Sequence, residues 1–186
     1  RINSGDISRT DESRSEGLVV NGKKAVKGKS DLEYLIIDGQ RKKVPEFSFT
    51  DQDGNTITNK DYLGQVYVVD FFFTTCQTIC PIMTSNMKKV QNAILLDKDV
   101  MLLSHTVTPE IDTVAQLKRY AIEKGVLSHK WNLVTGPKKD IYNLARKSYL
   151  VAKYDPTKDD AYGMVHTENF VLVDKQKRIR GLYDGT

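Results

Sequence analysis

The sequence contains little cysteine and no long apolar run. Its 186 residues include only two cysteines, Cys76 and Cys80, so any thiol chemistry depends on this pair. No stretch of about 18 consecutive apolar residues is present, and the given sequence therefore contains no candidate for a membrane-spanning helix. The first residue is Arg1 rather than methionine. We expect from this a processed or trimmed chain, with any targeting segment outside the given sequence.

Most of the sequence also lacks an excess of charge of either sign. The net charge is +4, and it arises mostly in residues 1–43, which carry 10 basic against 7 acidic side chains. Residues 44–186 carry 18 basic against 17 acidic side chains. A nucleic-acid-binding domain presents a clustered basic surface, whereas scattered charges of both signs are typical of a solvated surface. The sequence therefore predicts no nucleic-acid partner.

Composition divides the chain into an extension and one domain. Residues 1–31 are polar and rich in Ser, Gly and Lys, which is typical of a tether or leader. With 39% hydrophobic residues overall, the rest of the chain is long enough to bury the core of one domain. We predict a polar N-terminal extension over residues 1–43 and a single domain over residues 44–186.

One apolar stretch dominates the predicted domain. Gln65–Phe73 is β-branched and aromatic without polar alternation, which predicts a central strand buried on both faces of a sheet. After the cysteines, Pro81 suits the first turn of a helix, and apolar residues recur at helical spacing from Met83 to Leu95. Both cysteines therefore fall where a strand ends and a helix begins.

The remaining segments alternate between predicted strands and predicted helices. In order, we expect a short strand Leu32–Ile37, the hairpin Val44–Thr50 and Thr56–Thr58, the central strand, the cysteine helix, the strand Val100–Val107, a helix capped by Asp112, the strand Trp131–Val134, the helix Lys138–Lys147, and the closing hairpin Asn169–Val173 and Ile179–Tyr183. This order predicts an α/β sandwich with a central mixed β-sheet, flanking helices and an added N-terminal β-hairpin.

The predicted location of the cysteines has chemical consequences. Unpaired N–H groups and the helix dipole favour anions at a helix N-terminus, so we expect lowered pKa values for both thiols. On a helix, the i, i+4 spacing would place the two residues about one turn, roughly 6 Å, apart, which permits either a shared metal ion or a disulfide. Oxidation would consume both metal ligands, and the pair is therefore a candidate redox switch.

The sequence resembles the Sco/SenC family, thioredoxin-like copper-binding proteins that assist assembly of the copper A centre of cytochrome c oxidase. The resemblance depends on Cys76-Gln-Thr-Ile-Cys80-Pro after an aromatic strand, and on the distant segment His166-Thr-Glu-Asn-Phe-Val-Leu-Val-Asp174. It covers residues 44–186, with further matches in the segment that begins Val44-Pro-Glu-Phe47, in Thr106–Tyr120 and in Trp131–Gly136.

Three features depart from the family pattern. The family usually has Val-Asp-Pro where this sequence has Val107-Thr108-Pro109, and often an Asp where this sequence has Val165. Family domains also usually continue into a last helix, whereas this sequence ends at Thr186. The first two differences concern the charges near the site rather than the ligands.

The resemblance implies that Cys76, Cys80 and His166 bind copper. Thiolates are soft donors that match Cu(I), and imidazole also suits Cu(II), so this set of ligands is able to hold both oxidation states. The competing interpretation of the cysteines is a structural disulfide or two buried thiols, which their place at a strand-to-helix turn disfavours. A single histidine such as His166 is then an ordinary surface or core residue.

Several other residues invite a functional interpretation. His105 falls inside a strand predicted to be buried and His129 in a loop, and we interpret both as structural. Met83 and Met87 match the buried side of the cysteine helix, so we predict that they pack in the core rather than bind metal.

Two further features leave alternatives open. Asp70 is a polar residue in the apolar central strand, and it is either a buried acid close to the cysteines or the partner of a polar neighbour. The polar loop Tyr154–Tyr162 precedes His166, and it either moves to deliver this ligand or only connects two elements.

Three functions of different classes follow from these patterns. A copper carrier, which is a binding protein rather than an enzyme, requires Cys76, Cys80 and His166. A thiol–disulfide oxidoreductase that reduces client cysteines requires the two cysteines alone. A thioredoxin-fold peroxidase is disfavoured, because it would place an arginine beside its reactive cysteine and none occurs between Arg41 and Arg119.

The resemblance also predicts a location and partners. A dithiol that meets copper and exchanges with a disulfide suits an extracytoplasmic compartment such as the periplasm or cell envelope. Family members are usually held to a membrane by an N-terminal helix or lipid, so we expect residues 1–31 to belong to a tether whose anchor is missing here. The expected partners are the copper A subunit of cytochrome c oxidase or another copper protein, and a copper donor or thiol reductant.

Overall fold

The computed structural model describes residues 19–20, 23–24, 36–37, 39–149 and 167–186. Two short hairpins come first, formed by β1 Val19–Val20 with β2 Lys23–Lys24 and by β3 Ile36–Ile37 with β4 Gln40–Arg41. The elements that follow are β5 Ser48–Asp51, β6 Thr56–Thr58, β7 Val66–Phe72, α1 Ile79–Ala93, β8 Val100–Thr106, α2 Val114–Lys124, β9 Trp131–Thr135, α3 Lys138–Asn143, a π-helix Leu144–Ser148, β10 Asn169–Val173 and β11 Ile179–Asp184. Only Ile36–Ile37 of the strand predicted at Leu32–Ile37 lies within the described residues.

Seven of these strands form one mixed sheet in the order β11-β10-β7-β8-β9-β5-β6. β7, β8 and β9 run parallel, and Val69 of β7 lies beside Leu103 of β8. β10 runs antiparallel to β7 on its other side, with Val171 beside Val69. β5 extends the sheet antiparallel to β9 and carries the hairpin with β6. The predicted central strand, mixed sheet and both hairpins are confirmed.

Alternating side chains of β7 divide the interior into two cores, because successive side chains of a strand point to opposite faces. Tyr67, Val69 and Phe71 pack in the core that α3 and the π-helix cover, where Ile141 is fully buried. Phe72 packs in the other core, under α1 and α2. Helices thus cover both faces of the parallel strands, and the predicted α/β sandwich is confirmed.

The boundaries of two helices differ from the prediction. Thr113, and not Asp112, caps α2, and its hydroxyl accepts a hydrogen bond from the backbone N–H of Gln116 at 3.3 Å. The cap prediction was wrong because Asp112 is fully buried and binds other groups. The helix predicted over Lys138–Lys147 changes into the π-helix after Asn143, where Tyr149 N–H donates to the Leu144 carbonyl at 3.0 Å.

His105 of β8 lies in the core under α3 and the π-helix. Its ring stacks on Phe71 with centroids 5.1 Å apart and meets Phe47, Phe49 and Tyr149 at centroid distances of 5.3 to 6.0 Å. Among the described residues, neither ring nitrogen has a hydrogen-bond partner. Burial lowers the pKa of His105 to about 3. The structural interpretation of this histidine therefore agrees with its surroundings.

This buried imidazole should make the fold sensitive to acid. Because its folded pKa lies below the unfolded value, the unfolded chain binds more protons between about pH 6.5 and pH 3. This contribution to stability is present at neutral pH and is lost as the pH falls. Between pH 7.5 and pH 5, His105 should lower the free energy of unfolding of the wild type by about 2 kcal/mol. His105→Leu should abolish this decrease, as measured by urea unfolding at both pH values. His129→Gln, at an exposed histidine, is the control, and an equal change in both variants would contradict the assignment.

Candidate metal and dithiol site

The two cysteines lie where β7 passes into α1, but only one of them belongs to the helix. Cys76 lies in the connecting loop, and Cys80 is the second residue of α1, which begins at Ile79. The prediction that both lie one turn apart on a helix was therefore wrong. Thr78 is the N-cap residue of α1, and its φ of −108° and ψ of −92° are non-helical, so the helix does not extend back to Cys76. The N–H of Cys76 instead donates to the carbonyl of Phe73 at 3.2 Å.

The two thiols are free and differ in their surroundings. Cys76 is partly exposed, whereas Cys80 is buried in the core with Phe72 and Met83. The Sγ atom of Cys76 lies 3.5 Å from the hydroxyl of Thr78, and each of the two thiols shifts the pKa of the other.

These surroundings shift the two thiol pKa values in opposite directions. Burial alone would raise the pKa of Cys76, but hydrogen bonds from Cys80 and Thr78 lower it to about 7. Burial, together with the interaction with Cys76, raises the pKa of Cys80 to about 12. The predicted lowering is confirmed for Cys76 and wrong for Cys80, because the sequence did not reveal that the second thiol is buried in the core.

Asp70 is a buried acid on the face of β7 that α1 and α2 cover. The hydroxyl of Ser104 donates to its carboxylate, and the indole N–H of Trp131 donates to Ser104 Oγ at 2.8 Å. Burial raises the pKa of Asp70 to about 7, against the opposing effect of Ser104. The negative charge of Asp70 contributes to the raised pKa of Cys80. Both alternatives from the sequence therefore apply, since Asp70 is a buried acid near a cysteine and has a polar partner.

Asp112 is a residue of the site that sequence reasoning missed. Its carboxylate accepts hydrogen bonds from the backbone N–H of Thr74 at 3.1 Å and from the hydroxyls of Thr74, Thr106 and Thr108 at 2.5, 2.5 and 3.2 Å. Thr74 lies in the cysteine loop. The available signal was a set of threonines at the carboxyl ends of two neighbouring parallel strands, where such ends meet at one edge of the sheet.

The remaining predicted residues have clear outcomes. Met83 and Met87 are buried in the core under α1 and α2, as predicted, and His129 is exposed. His166 and the loop Tyr154–Tyr162 lie outside the described residues. Within the described ranges, no group of three His, Cys, Asp or Glu side chains comes together in a way that could hold a metal ion. The structure therefore describes the two cysteines of the predicted ligand set and not the histidine.

The end of β7 and the start of β10 lie at the same edge of the sheet. β10 begins at Asn169 and pairs antiparallel with β7, with Val171 beside Val69. Thr167, two residues before β10, is buried, and its hydroxyl accepts a hydrogen bond from the N–H of Asn169 at 3.1 Å. The antiparallel pairing therefore places Thr167 at the edge of the sheet where the cysteine loop begins.

Comparisons with known proteins agree on one family. The family model described as SCO1/SenC matches residues 37–186. A SCO1/SenC family lipoprotein from Bacillus anthracis is 33% identical, with a TM-score of 0.69 over 78% of this chain and 86% of its own. The protein BsSco, described as a member of the Sco family of cytochrome c oxidase assembly proteins with a disulfide switch, is 32% identical, with a TM-score of 0.66 over 81% and 87%.

A third similar structure was solved with its metal. The ScoI protein of Bradyrhizobium japonicum, with copper bound, is 29% identical, with a TM-score of 0.62 over 76% of this chain and 89% of its own. The family match extends over all of β5 to β11, including the cysteine loop and the closing hairpin. The chain therefore belongs to the SCO1/SenC family.

Proposed function

We propose that the protein is a copper carrier that binds Cu(I) and Cu(II) through Cys76, Cys80 and His166. The observation that carries this proposal is the pair of free thiols in the loop and first helical turn that follow the central strand. Family membership supports the choice of copper, because a relative with the same fold was solved with copper bound. The proposed role is delivery of copper to the copper A subunit of cytochrome c oxidase, or to another copper protein, during assembly.

The chemistry of the available donors fits copper as the cargo. Two sulfur ligands select soft ions such as Cu(I), and Cu(II) prefers additional nitrogen ligands. Cys80 is fixed by the helix and core, while Cys76 is partly exposed in a loop. The first could therefore hold the ion in place, and the second remains accessible to a copper donor or recipient.

The topology supports His166 as the third ligand. This residue directly precedes Thr167, which belongs to the segment entering β10 at the edge where β7 ends. A parallel strand in this position would begin at the opposite edge of the sheet. The antiparallel closing hairpin is therefore a specific feature of this fold that favours a ligand from the start of β10.

A second candidate function is a thiol–disulfide oxidoreductase. The unequal thiols favour it, because an accessible thiol with a pKa of about 7 is a good attacking group. The buried neighbour, with a pKa of about 12, would then resolve the mixed disulfide. Its substrates would be client cysteines, and a thiol reductant would restore the dithiol. The disulfide switch described for BsSco supports a redox role for this pair.

We further propose an extracytoplasmic location with a membrane anchor. The dithiol chemistry favours this compartment, and a family member from Bacillus anthracis is described as a lipoprotein. In the described part of the chain, no helix has the length and apolar character needed to cross a membrane.

Both cysteines should be necessary for tight Cu(I) binding. We expect Cys76→Ser and Cys80→Ser each to lower Cu(I) affinity by a factor of about 100 or more, because each removes one of two soft ligands. Competition with a chromophoric Cu(I) chelator measures the affinity. Met87→Leu, a volume-conserving change in the same helix, should retain wild-type affinity. Wild-type affinity in either serine variant would show that the copper ligands lie elsewhere.

His166 should distinguish the carrier from the oxidoreductase. We expect His166→Ala to lose the thiolate-to-Cu(II) charge-transfer absorption and to weaken Cu(II) far more than Cu(I), since Cu(II) prefers nitrogen ligands. The dithiol/disulfide potential should stay close to that of the wild type. His129→Ala, at an exposed histidine, is the matched control. If the copper spectra of His166→Ala are unchanged, the oxidoreductase becomes the better hypothesis.

The two thiols of the reduced, metal-free protein should react at very different rates. With a pKa of about 7, Cys76 is about half thiolate at neutral pH, so iodoacetamide should modify it first. Its rate should fall as the pH drops below about 7 and level off above about 8, because only the thiolate attacks. Mass spectrometry of the two modified peptides measures this order. Equal labelling, or faster labelling of Cys80, would contradict the assigned environments.

A further inference from the structure

The carboxylate of Asp112 is a fully buried group whose bonds connect two separate segments. Two of its four hydrogen bonds come from Thr74 in the cysteine loop, one from the backbone N–H and one from the hydroxyl. The other two come from Thr106, at the end of β8, and from Thr108 just after it. Removing a carboxylate from water is unfavourable unless it is hydrogen-bonded. The four bonds therefore hold the carboxylate in one position between these two segments.

Thr74 connects the carboxylate of Asp112 to the loop that carries Cys76. It lies two residues before Cys76, and its hydroxyl also accepts a hydrogen bond from the side chain of Gln116 on α2 at 3.0 Å. Three hydrogen bonds thus attach Thr74 to the region of β8 and α2. Cys80, by contrast, is held by α1 and the core. The separation between the two sulfur atoms therefore depends on how firmly Thr74 is held.

We propose that Asp112 is a positioning residue for the dithiol. Through Thr74 it holds the Cys76 loop close to Cys80, which raises the effective concentration of each thiol for the other. The proposal deepens the proposed function, because it assumes that the dithiol is the working site, but it applies equally to metal binding and to disulfide formation. Positioning of this kind changes an equilibrium between two groups and not only the stability of the fold.

The equilibrium with glutathione tests this proposal without any metal. Oxidised glutathione accepts two electrons and the two thiol protons from Cys76 and Cys80 and becomes two glutathione thiols, while one S–S bond forms in the protein. The equilibrium constant for this reaction reports the effective concentration of the two thiols. Alkylation at equilibrium, followed by mass spectrometry, measures the fraction of disulfide at each glutathione ratio.

Threonine variants provide a matched comparison. Thr74→Val removes the hydroxyl that ties the cysteine loop to Asp112, Thr74→Ser retains it, and Thr108→Val removes one hydroxyl from the same carboxylate on the far side. We expect Thr74→Val to lower the equilibrium constant about tenfold, because the conformational entropy of about one residue corresponds to roughly a tenfold change in an equilibrium constant. For a two-electron couple this raises the potential by about 30 mV. Thr74→Ser and Thr108→Val should stay within about twofold of wild type.

Thermal unfolding of the three reduced variants separates positioning from stability. Thr108→Val should also destabilise the fold, since it removes one hydrogen bond to the same buried carboxylate, and Thr74→Val should destabilise it somewhat more, since it removes that bond and the one from Gln116. The proposal is overturned if Thr74→Val leaves the equilibrium constant unchanged or raises it, if Thr108→Val lowers it equally, or if Thr74→Ser fails to restore it. A wild-type protein that forms the disulfide but binds no copper would contradict the carrier function and would leave this test intact.

Discussion

The antiparallel pairing of β10 with β7 is the constraint on which the arrangement of the site depends. In parallel strands, all carboxyl ends meet at one edge of the sheet and all amino ends at the other. An antiparallel strand begins at the edge where the parallel strands end. The segment that enters β10 at Thr167 therefore lies at the edge where β7 ends. β10, the first strand of the closing hairpin, supplies this reversal.

The cost of desolvation explains why the buried histidine is neutral and why the buried acids are hydrogen-bonded. His105 is packed among aromatic rings under α3 and the π-helix, so its neutral form is favoured. On the other face, Asp70 is hydrogen-bonded to Ser104, and Asp112 is bonded to three threonine hydroxyls. A buried polar group is tolerated where partners satisfy it. The two buried acids therefore lie on the side and edge of the sheet that carry the thiols, and each has hydrogen-bond partners, whereas the imidazole in the opposite core lies among aromatic rings.

The sequence predicted the fold well because hydrophobic periodicity reports which side of an element is buried. The segment of β7, which is apolar without polar alternation apart from Asp70, indicated a strand covered on both faces, and this is what the sheet shows. Spacing alone could not reveal that α1 begins at Ile79, so Cys76 was wrongly assigned to the helix. Burial that depends on distant elements was also hidden, which is why Cys80 and Asp112 differed from expectation. The assignment of His166 stays a prediction, because it depends on the family resemblance and lies outside the described residues.

The separation of the two cysteines between a loop and a helix suits a site with more than one state. A disulfide requires the sulfur atoms to approach to about 2 Å, whereas two ligands of one metal ion remain farther apart. If both residues lay on one rigid helix, their separation would be fixed. Here Cys80 is buried in the core, and Cys76 lies on a loop in which Thr74 is hydrogen-bonded to Asp112. The two proposed functions, carrier and oxidoreductase, therefore use the same sulfur pair, and the residue proposed to distinguish them, His166, lies outside that pair.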